Sequence, residues 1–428
     1  MSCQDRLSQW KQRVSTAFAH LSKAQALGLA HWSAGIALTG SGGISQISAL
    51  LAQVGEEKEI PVFQRLREWY LDAQHKSGDH RRELDVTSCF APLLHWIVQC
   101  WAGTEQRLAL ALDATTLSER WTVLSVSVLV RGCAIPVAWK VLPGHAKGSW
   151  RPYWESLLEH LKGAVPASWQ VLVLADRGLY AKWLYAAIVA CGWHPFLRIN
   201  TGVKARGQGE ESFDWISRWI PQAGTKWKGV VECFVQKKSR LSCTLLLQWE
   251  EGYEHRWALI TDLPPQEANV AWYGLRAWIE AGFKDVKRGG WGWHHSKMQD
   301  ASRVERLWLA MAVAMVWTVS VGSQADSQCS SASLEHLPKA HVARQRMQRP
   351  LVTPSVRPLS CLQRGRLMLL AALLKAEALP LAGIVPEPWP ETLTPPKQAP
   401  DPAKLRQRER RRAYKRRRKA AQRRSAAA

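Results

Sequence analysis

The chain has no Cys-x-x-Cys pair; its nine cysteines, at positions 3, 89, 100, 133, 191, 233, 243, 329 and 361, are scattered. That argues against a zinc site and against a secreted disulfide framework, and it fits a reducing, cytoplasmic setting. An apolar leader is missing too, since Met1 to Lys11 is polar and charged, so nothing there suggests export. The one long uncharged run, Leu307 to Gly322, has 16 residues. It falls short of a bilayer span and reads as a buried helix, with no membrane partner expected. Acids are scarce: 35 Asp and Glu face 58 Lys and Arg, leaving a formal charge of +23. A surplus of that size answers a polyanion, nucleic acid ahead of an anionic membrane surface.

What remains is an ordinary globular balance, 46% apolar and 22% charged over 428 residues, enough for one sizeable core with accessory domains. The basic surplus is uneven. Lys404 to Arg424 holds 13 Lys and Arg against the single acid Glu409, a local excess of 12, about half of the total. This tail is expected to be disordered alone, and its composition supports sequence-independent DNA affinity, an RNA-binding extension or simple solubility. The other half of the excess gives the globular part a basic surface.

Up to about Trp101 the apolar spacing is helical: Leu7, Trp10, Val14, Phe18 and Leu21 recur at steps of three and four. Residues 1–101 are therefore expected to form a helical domain. Two helices, Ala24 to Leu38 and Ile44 to Val54, flank the break Gly40-Ser41-Gly42-Gly43 and could form a helix-turn-helix reader of DNA ends, although plain helical packing produces the same pattern. From Arg107 short Val- and Leu-rich runs begin. Leu108 to Leu112, Trp121 to Val130 and Ala134 to Leu142 read as meandering strands, followed by helix 150–161, strand 171–175, helix 179–190 and strand 195–199. Runs apolar on both faces, such as Val171-Leu172-Val173-Leu174, suit central strands with helices on either side, so the fold class is α/β. A β-rich insertion is expected at about 201–265, inside a catalytic domain spanning 102–322. Residues 323–385 read as a Ser-rich linker and a helical segment, and residues 386–428 as a Pro-rich linker and the basic tail.

Asp113 ends the run Leu108 to Leu112 and Asp176 ends Val171 to Ala175, so both carboxylates fall at C-terminal strand ends, where α/β sheets collect their sites. Either alone is most simply a turn or cap residue. A third acid lies on the expected helix Gln266 to Lys287. At about 100° per residue, Tyr273, Arg276, Glu280 and Lys287 fall within a sector of about 60°, with Lys284 on the same face. Phenol, guanidinium, carboxylate and ammonium on one face can hold phosphate and metal together; a solvated charged face is the plainer alternative.

These residues resemble the DDE transposases of bacterial insertion sequences, in the cut-and-paste branch whose last helix carries Tyr, Arg, Glu and Lys at this spacing. The resemblance runs from about Arg107 to Val321. It rests on Leu-Asp-Ala-Thr-Thr-Leu around Asp113, Leu-Ala-Asp-Arg-Gly-Leu-Tyr around Asp176, and Tyr-Gly-Leu-Arg-Ala-Trp-Ile-Glu from Tyr273 to Glu280. It implies a ribonuclease H-like mixed sheet with a β-rich insertion between the second Asp and the Glu. It also implies that Asp113, Asp176 and Glu280 bind two magnesium ions, with manganese a substitute, while Tyr273, Arg276 and Lys287 grip phosphates. Its partners would be double-stranded DNA, transposon ends and target, bound by a homo-oligomer associated with the nucleoid. Two metal ions about 4 Å apart can activate water and stabilise a leaving 3′ oxygen, and the freed 3′-OH can then attack target DNA or the opposite strand.

Beyond that helix, Arg288, Trp291 and Trp293 lie in a Gly-rich loop and are candidates for DNA contact, the tryptophans by stacking on an unpaired base, with packing the competing role. A metal role for His294 and His295 is not expected without nearby Cys. The family also uses an insertion-domain Trp near a flipped base, for which Trp249 and Trp257 both qualify. Two other functions stay open: a catalytically inactive DNA-binding regulator left by a decayed element, and a nuclease of the same fold that cuts without joining.

Overall fold

The computed structural model describes residues 3–77, 81–146, 149–251, 253, 255–329 and 359–393. The basic run 404–424 lies outside the described residues. Helices α1 (Cys3–Ala17), α2 (Lys23–Thr39), α3 (Ile44–Gly55), α4 (Glu59–Tyr70) and α5 (Phe90–Gln99) precede the first strand. Then follow β1 (Arg107–Leu117), β2 (Trp121–Val130), β3 (Cys133–Pro143), α6 (Arg151–Leu161), β4 (Gln170–Ala175), α7 (Lys182–Ala190) and β5 (His194–Arg198). Next come β6 (Lys204–Gly207), β7 (Asp214–Trp215), α8 (Ile216–Trp219), β8 (Lys226–Cys233), β9 (Leu241–Gln248) and β10 (Trp257–Thr261). The chain continues through α9 (Ala277–Lys284), α10 (Ala301–Ser327) and α11 (Cys361–Leu374).

All ten strands join one mixed sheet in the order β3-β2-β1-β4-β5-β10-β9-β8-β6-β7. The first three form the expected antiparallel meander, and β4 and β5 run parallel to β1. The β-rich stretch after Asn200 extends this sheet, because β10 pairs antiparallel with β5.

Alternation along β1 sorts its side chains between two cores. Leu108, Leu110 and Leu112 enter the larger cluster, shared with α10 and the N-terminal helices, while Ala109 and Ala111 enter a smaller one under α9. Small residues on that second face let α9 approach closely. At Gly282 an added Cβ would lie 2.7 Å from both Cβ and O of Ala134 on β3. Gly282→Val is therefore expected to destabilise the fold by about 1–3 kcal/mol through overpacking, read as a lower urea midpoint, and to displace Glu280 two residues away.

Among the described residues α10 is the one helix long and apolar enough to cross a membrane, and 94% of its apolar window is buried inside the protein. It forms the floor of the larger core, packing against α2, α11 and β3, as the uncharged run suggested. It also runs through Ser323 to Ser327, so the first part of the Ser-rich stretch is helix rather than linker. Residues 380–393 follow α11 as an irregular strap along the sheet, with Ile384 bridged in parallel to Trp101.

Candidate active site

Leu112 lies opposite Ala175 in the parallel β1–β4 register, so Asp113 and Asp176 are the next residues on neighbouring strands, which run about 4.8 Å apart. By alternation both belong to the α9 side, like Ala111 and Leu174 before them. The expectation that Asp113 ends its strand needs correction: β1 continues to Leu117, paired with β2 alone once β4 has stopped. Asp113 thus marks the end of the parallel pairing, not of the strand. Each carboxylate is fixed by a local amide, Oδ1 of Asp113 accepting from Ala114 N at 2.8 Å and Oδ1 of Asp176 from Gly178 N at 2.8 Å.

The expected single helix from Gln266 to Lys287 is three kinds of turn. Val270–Arg276 is a 3₁₀ stretch capped by Asn269, whose side chain accepts from Ala271 N at 2.9 Å. Ala277–Lys284 is α-helical, and Asp285–Gly289 is a π turn. Side chains three apart eclipse in a 3₁₀ helix, and side chains four apart share a face in an α-helix. Tyr273 and Arg276 therefore line up, as do Arg276 and Glu280, by two geometries rather than one.

Arg276 joins the two strands. Its Nη2 donates to Asp113 Oδ2 at 2.8 Å and lies 3.5 Å from Asp176 Oδ2, while its Nε is buried without a partner among the described residues. Burial raises the Asp113 carboxyl above its ordinary range, against the pull of Arg276 and Ala114, and the charges of Asp176 and Glu280 push it further up. Lys287 donates from Nζ to Thr115 Oγ1 at 2.6 Å, two residues along β1 from Asp113. Burial, then Arg288, lowers the Lys287 ammonium. Burial lifts the Tyr273 phenol to about 12, although Arg276 and Arg198 both favour its ionised form. Glu280, Lys284 and Arg288 are exposed along the same stretch.

Arg198 is a member of this cluster that reading the residues one by one missed. At the end of β5 it lies over the rings of Trp257 at 5.4 Å and Tyr273 at 5.8 Å, with a buried Nε that has no hydrogen-bond partner among the described residues. Burial, with Arg177 and Arg276 nearby, lowers its guanidinium. Of the two candidate insertion tryptophans, Trp257 meets Tyr273 edge-on at 5.3 Å. Trp249 is covered by Arg256 at 4.4 Å and donates to Tyr253 O at 3.0 Å. Of the two, Trp257 is the one in contact with Tyr273 and Arg198.

Trp291 and Trp293 are corrected. They are 0% and 1% exposed, and Trp293 packs edge-on against Trp308 at 5.2 Å. Gly42 N donates to Trp291 O at 2.7 Å, pinning the loop to the turn before α3. Rings so enclosed pack the core instead of stacking on a base. His294 donates from Nδ1 to Lys287 O at 3.2 Å, holding the π turn.

Among the described residues no three His, Cys, Asp or Glu side chains are gathered closely enough to enclose a metal ion. The donor set still suits a hard divalent cation, since the charges of Asp176 and Glu280 both push the Asp113 carboxyl up and Arg276 is the positive group lying between Asp113 and Asp176.

Residues 105–317 match the family model described as transposase DDE domain. No curated protein matches the chain by sequence. Among solved structures, a cryo-EM structure of the piggyBac transposase synaptic complex with hairpin DNA is similar at 10% identity, over 82% of this chain and 80% of that one, with a TM-score of 0.38.

Proposed function

Through residues 105–317 the chain belongs to the transposase DDE-domain family, and from that premise we propose that it cuts the ends of an insertion sequence and joins them to target DNA. The observation that carries this reading is the β1–β4 register, which makes Asp113 and Asp176 neighbours on the sheet face where α9 brings Glu280. Asp113, Asp176 and Glu280 would hold two magnesium or manganese ions, which supply the Lewis acidity that activates water and stabilises a leaving 3′ oxygen.

The chain's own groups do the positioning. Arg276, which pairs with Asp113, would present in-plane N–H donors to a phosphate of the cut strand if a bound cation took over the charge of Asp113. Lys287, with a lowered pKa and a bond to Thr115, and Arg198, whose buried Nε has no partner among the described residues, would add further donors. Tyr273 stays a neutral phenol at physiological pH and donates a hydrogen bond without adding charge. Between the two insertion tryptophans, the contact of Trp257 with Tyr273 and Arg198 favours it as the ring that would stack on an unpaired base. In the N-terminal helices α2 and α3 meet at 98°, within the range of a helix-turn-helix, which supports their reading transposon ends. Joining two ends to one target calls for two active sites, hence a homo-oligomer acting on cytoplasmic DNA.

The test is magnesium-dependent cleavage and joining of the element's flanking ends by the wild type, Asp176→Asn and Glu280→Ala. Cutting and joining by the wild type, with both variants binding DNA but doing neither, supports the assignment. Active variants would overturn the site. Binding without cutting by the wild type would favour the inactive regulator, and cutting without joining the plain nuclease.

A further inference from the structure

The seven-residue 3₁₀ stretch Val270–Arg276 is long for its kind, because 3₁₀ hydrogen bonds are poorly aligned and runs beyond three or four residues are uncommon. Something outside it must hold it in shape. Its residues form eclipsed columns: Tyr273 and Arg276 in one, Trp272 and Leu275 in the next. The second column packs on the sheet, with Trp272 and Leu275 both in the smaller core and Trp272 tilted against Phe196 at 6.3 Å. The outer side of Trp272 is covered by the strap, where Trp389 meets it edge-on at 5.2 Å. Arg107, at the start of β1, lies over both rings, 5.8 Å from Trp272 and 5.6 Å from Trp389. Asn269, which caps the stretch through its oxygen, donates from Nδ2 to Glu391 O at 2.9 Å.

The strap is itself anchored at a distance from the site. Ile384 N donates to Cys100 O at 2.7 Å and Ala102 N to Ile384 O at 2.8 Å. Arg131 Nε, in the β2–β3 turn, donates to Val385 O at 2.7 Å, and Trp317 Nε1 of α10 to Pro380 O at 2.9 Å. These bonds tie it to three elements of the catalytic sheet and core before it reaches Trp272.

We propose that Trp389 is a positioning residue: the C-terminal strap clamps the Trp272 column and so holds the adjacent Tyr273 and Arg276 column against Asp113 and Asp176. The Pro-rich stretch is in its first part a structural member of the active site rather than a linker. The effect on catalysis rests on the cleavage activity proposed above, whereas the clamp itself does not.

The experiment uses the full chain and three variants: Trp389→Ala, which removes the ring; Trp389→Phe, which keeps an aromatic contact; and Asn269→Asp, which keeps the cap but loses the donor to Glu391. Two quantities are read, hydrogen exchange of amides 270–276 and the kinetics of end cleavage. The expected result is faster exchange in Trp389→Ala and Asn269→Asp, with kcat lowered about 10-fold or more, KM and DNA affinity little changed, and substantial rescue in Trp389→Phe. Unchanged exchange in folded Trp389→Ala and Asn269→Asp overturns the clamp, and so does an unchanged kcat in an active enzyme. Should Trp389→Ala fail to fold, Asn269→Asp decides. Should the wild type not cleave DNA, the proposed function falls while the exchange data still judge the clamp.

Discussion

Asp113→Asn is expected to abolish strand cleavage while leaving the protein at least as stable as the wild type. The two effects have one cause. Asp113 is held in a half-buried position beside Asp176 and within the field of Glu280, and its carboxyl is raised above the usual range, burial being the largest reason. A carboxylic group whose pKa is higher folded than unfolded binds its proton more tightly in the folded state. Its ionised form therefore costs stability above that pKa, and the cost vanishes as pH falls through the unfolded value. Asparagine removes the charge and keeps the shape, and its side-chain oxygen can still accept from Ala114 N. Activity moves the other way. Changing outer-shell partners of metal ligands typically costs about 10- to 100-fold, so loss of Asp113, a ligand in the proposed site, should cost more than about 100-fold. The measurement pairs urea unfolding at pH 7 with magnesium-dependent cleavage. A variant that is inactive only because it unfolds would show a lower midpoint and sink the argument, and a stable, active variant would remove Asp113 from the site.

Much of this arrangement is legible in the residues themselves, for reasons that can be named. Alternation in Leu108-Ala109-Leu110-Ala111-Leu112 is set by the strand period of two, so the side taken by Asp113 follows without tertiary information. The spacing from Arg276 to Glu280 suits an α-helix, which the chain adopts there. Tyr273 to Arg276 is three residues, a spacing that places side chains together in α and in 3₁₀ turns alike, so the sequence pattern cannot separate them. What selects the 3₁₀ form is the contact of Trp272 with Phe196 and with Trp389, 117 positions downstream in the numbering, and no local window contains it. Arg198 escaped notice for a similar reason. A single Arg closing a strand carries no periodic signal, and its worth comes from Tyr273 and Trp257 approaching from other segments. Trp291 and Trp293 misled in the opposite direction: a Gly-rich loop reads as exposed, but Gly42 N captures Trp291 O and draws both rings into the core between α10 and the N-terminal helices.

Arg306→Met is expected to be among the most destabilising single changes in the chain, about 3–5 kcal/mol at neutral pH, because it breaks a buried ion pair from one side. Arg306 is 1% exposed at the head of the uncharged run of α10. Its Nη1 donates to Asp72 Oδ1 at 2.8 Å and to Tyr70 O at 2.7 Å, its Nε reaches Leu84 O at 3.4 Å, and Nη2 pairs with Glu83. The guanidinium thus ties α10 to the segment that leads from α4 toward α5. Methionine can fill much of the volume, but it removes the donor to the Tyr70 and Leu84 carbonyls and leaves Asp72 with Arg303, Ser302 and the nearby His75 ring. The pH dependence gives a second check. Burial alone would raise the Asp72 carboxyl, yet hydrogen bonds from Arg306, Arg303 and Ser302 hold it well below the usual carboxylate range. A group depressed in the folded state contributes stability above its unfolded pKa, about 3.9 for Asp, and loses that contribution as pH falls through the folded value. The gap in unfolding free energy between wild type and Arg306→Met should therefore be full at pH 5 to 7 and narrow below about pH 4. A gap that stays constant down to acid pH would mean that packing of the long side chain, not its pairing with Asp72, holds α10 in place.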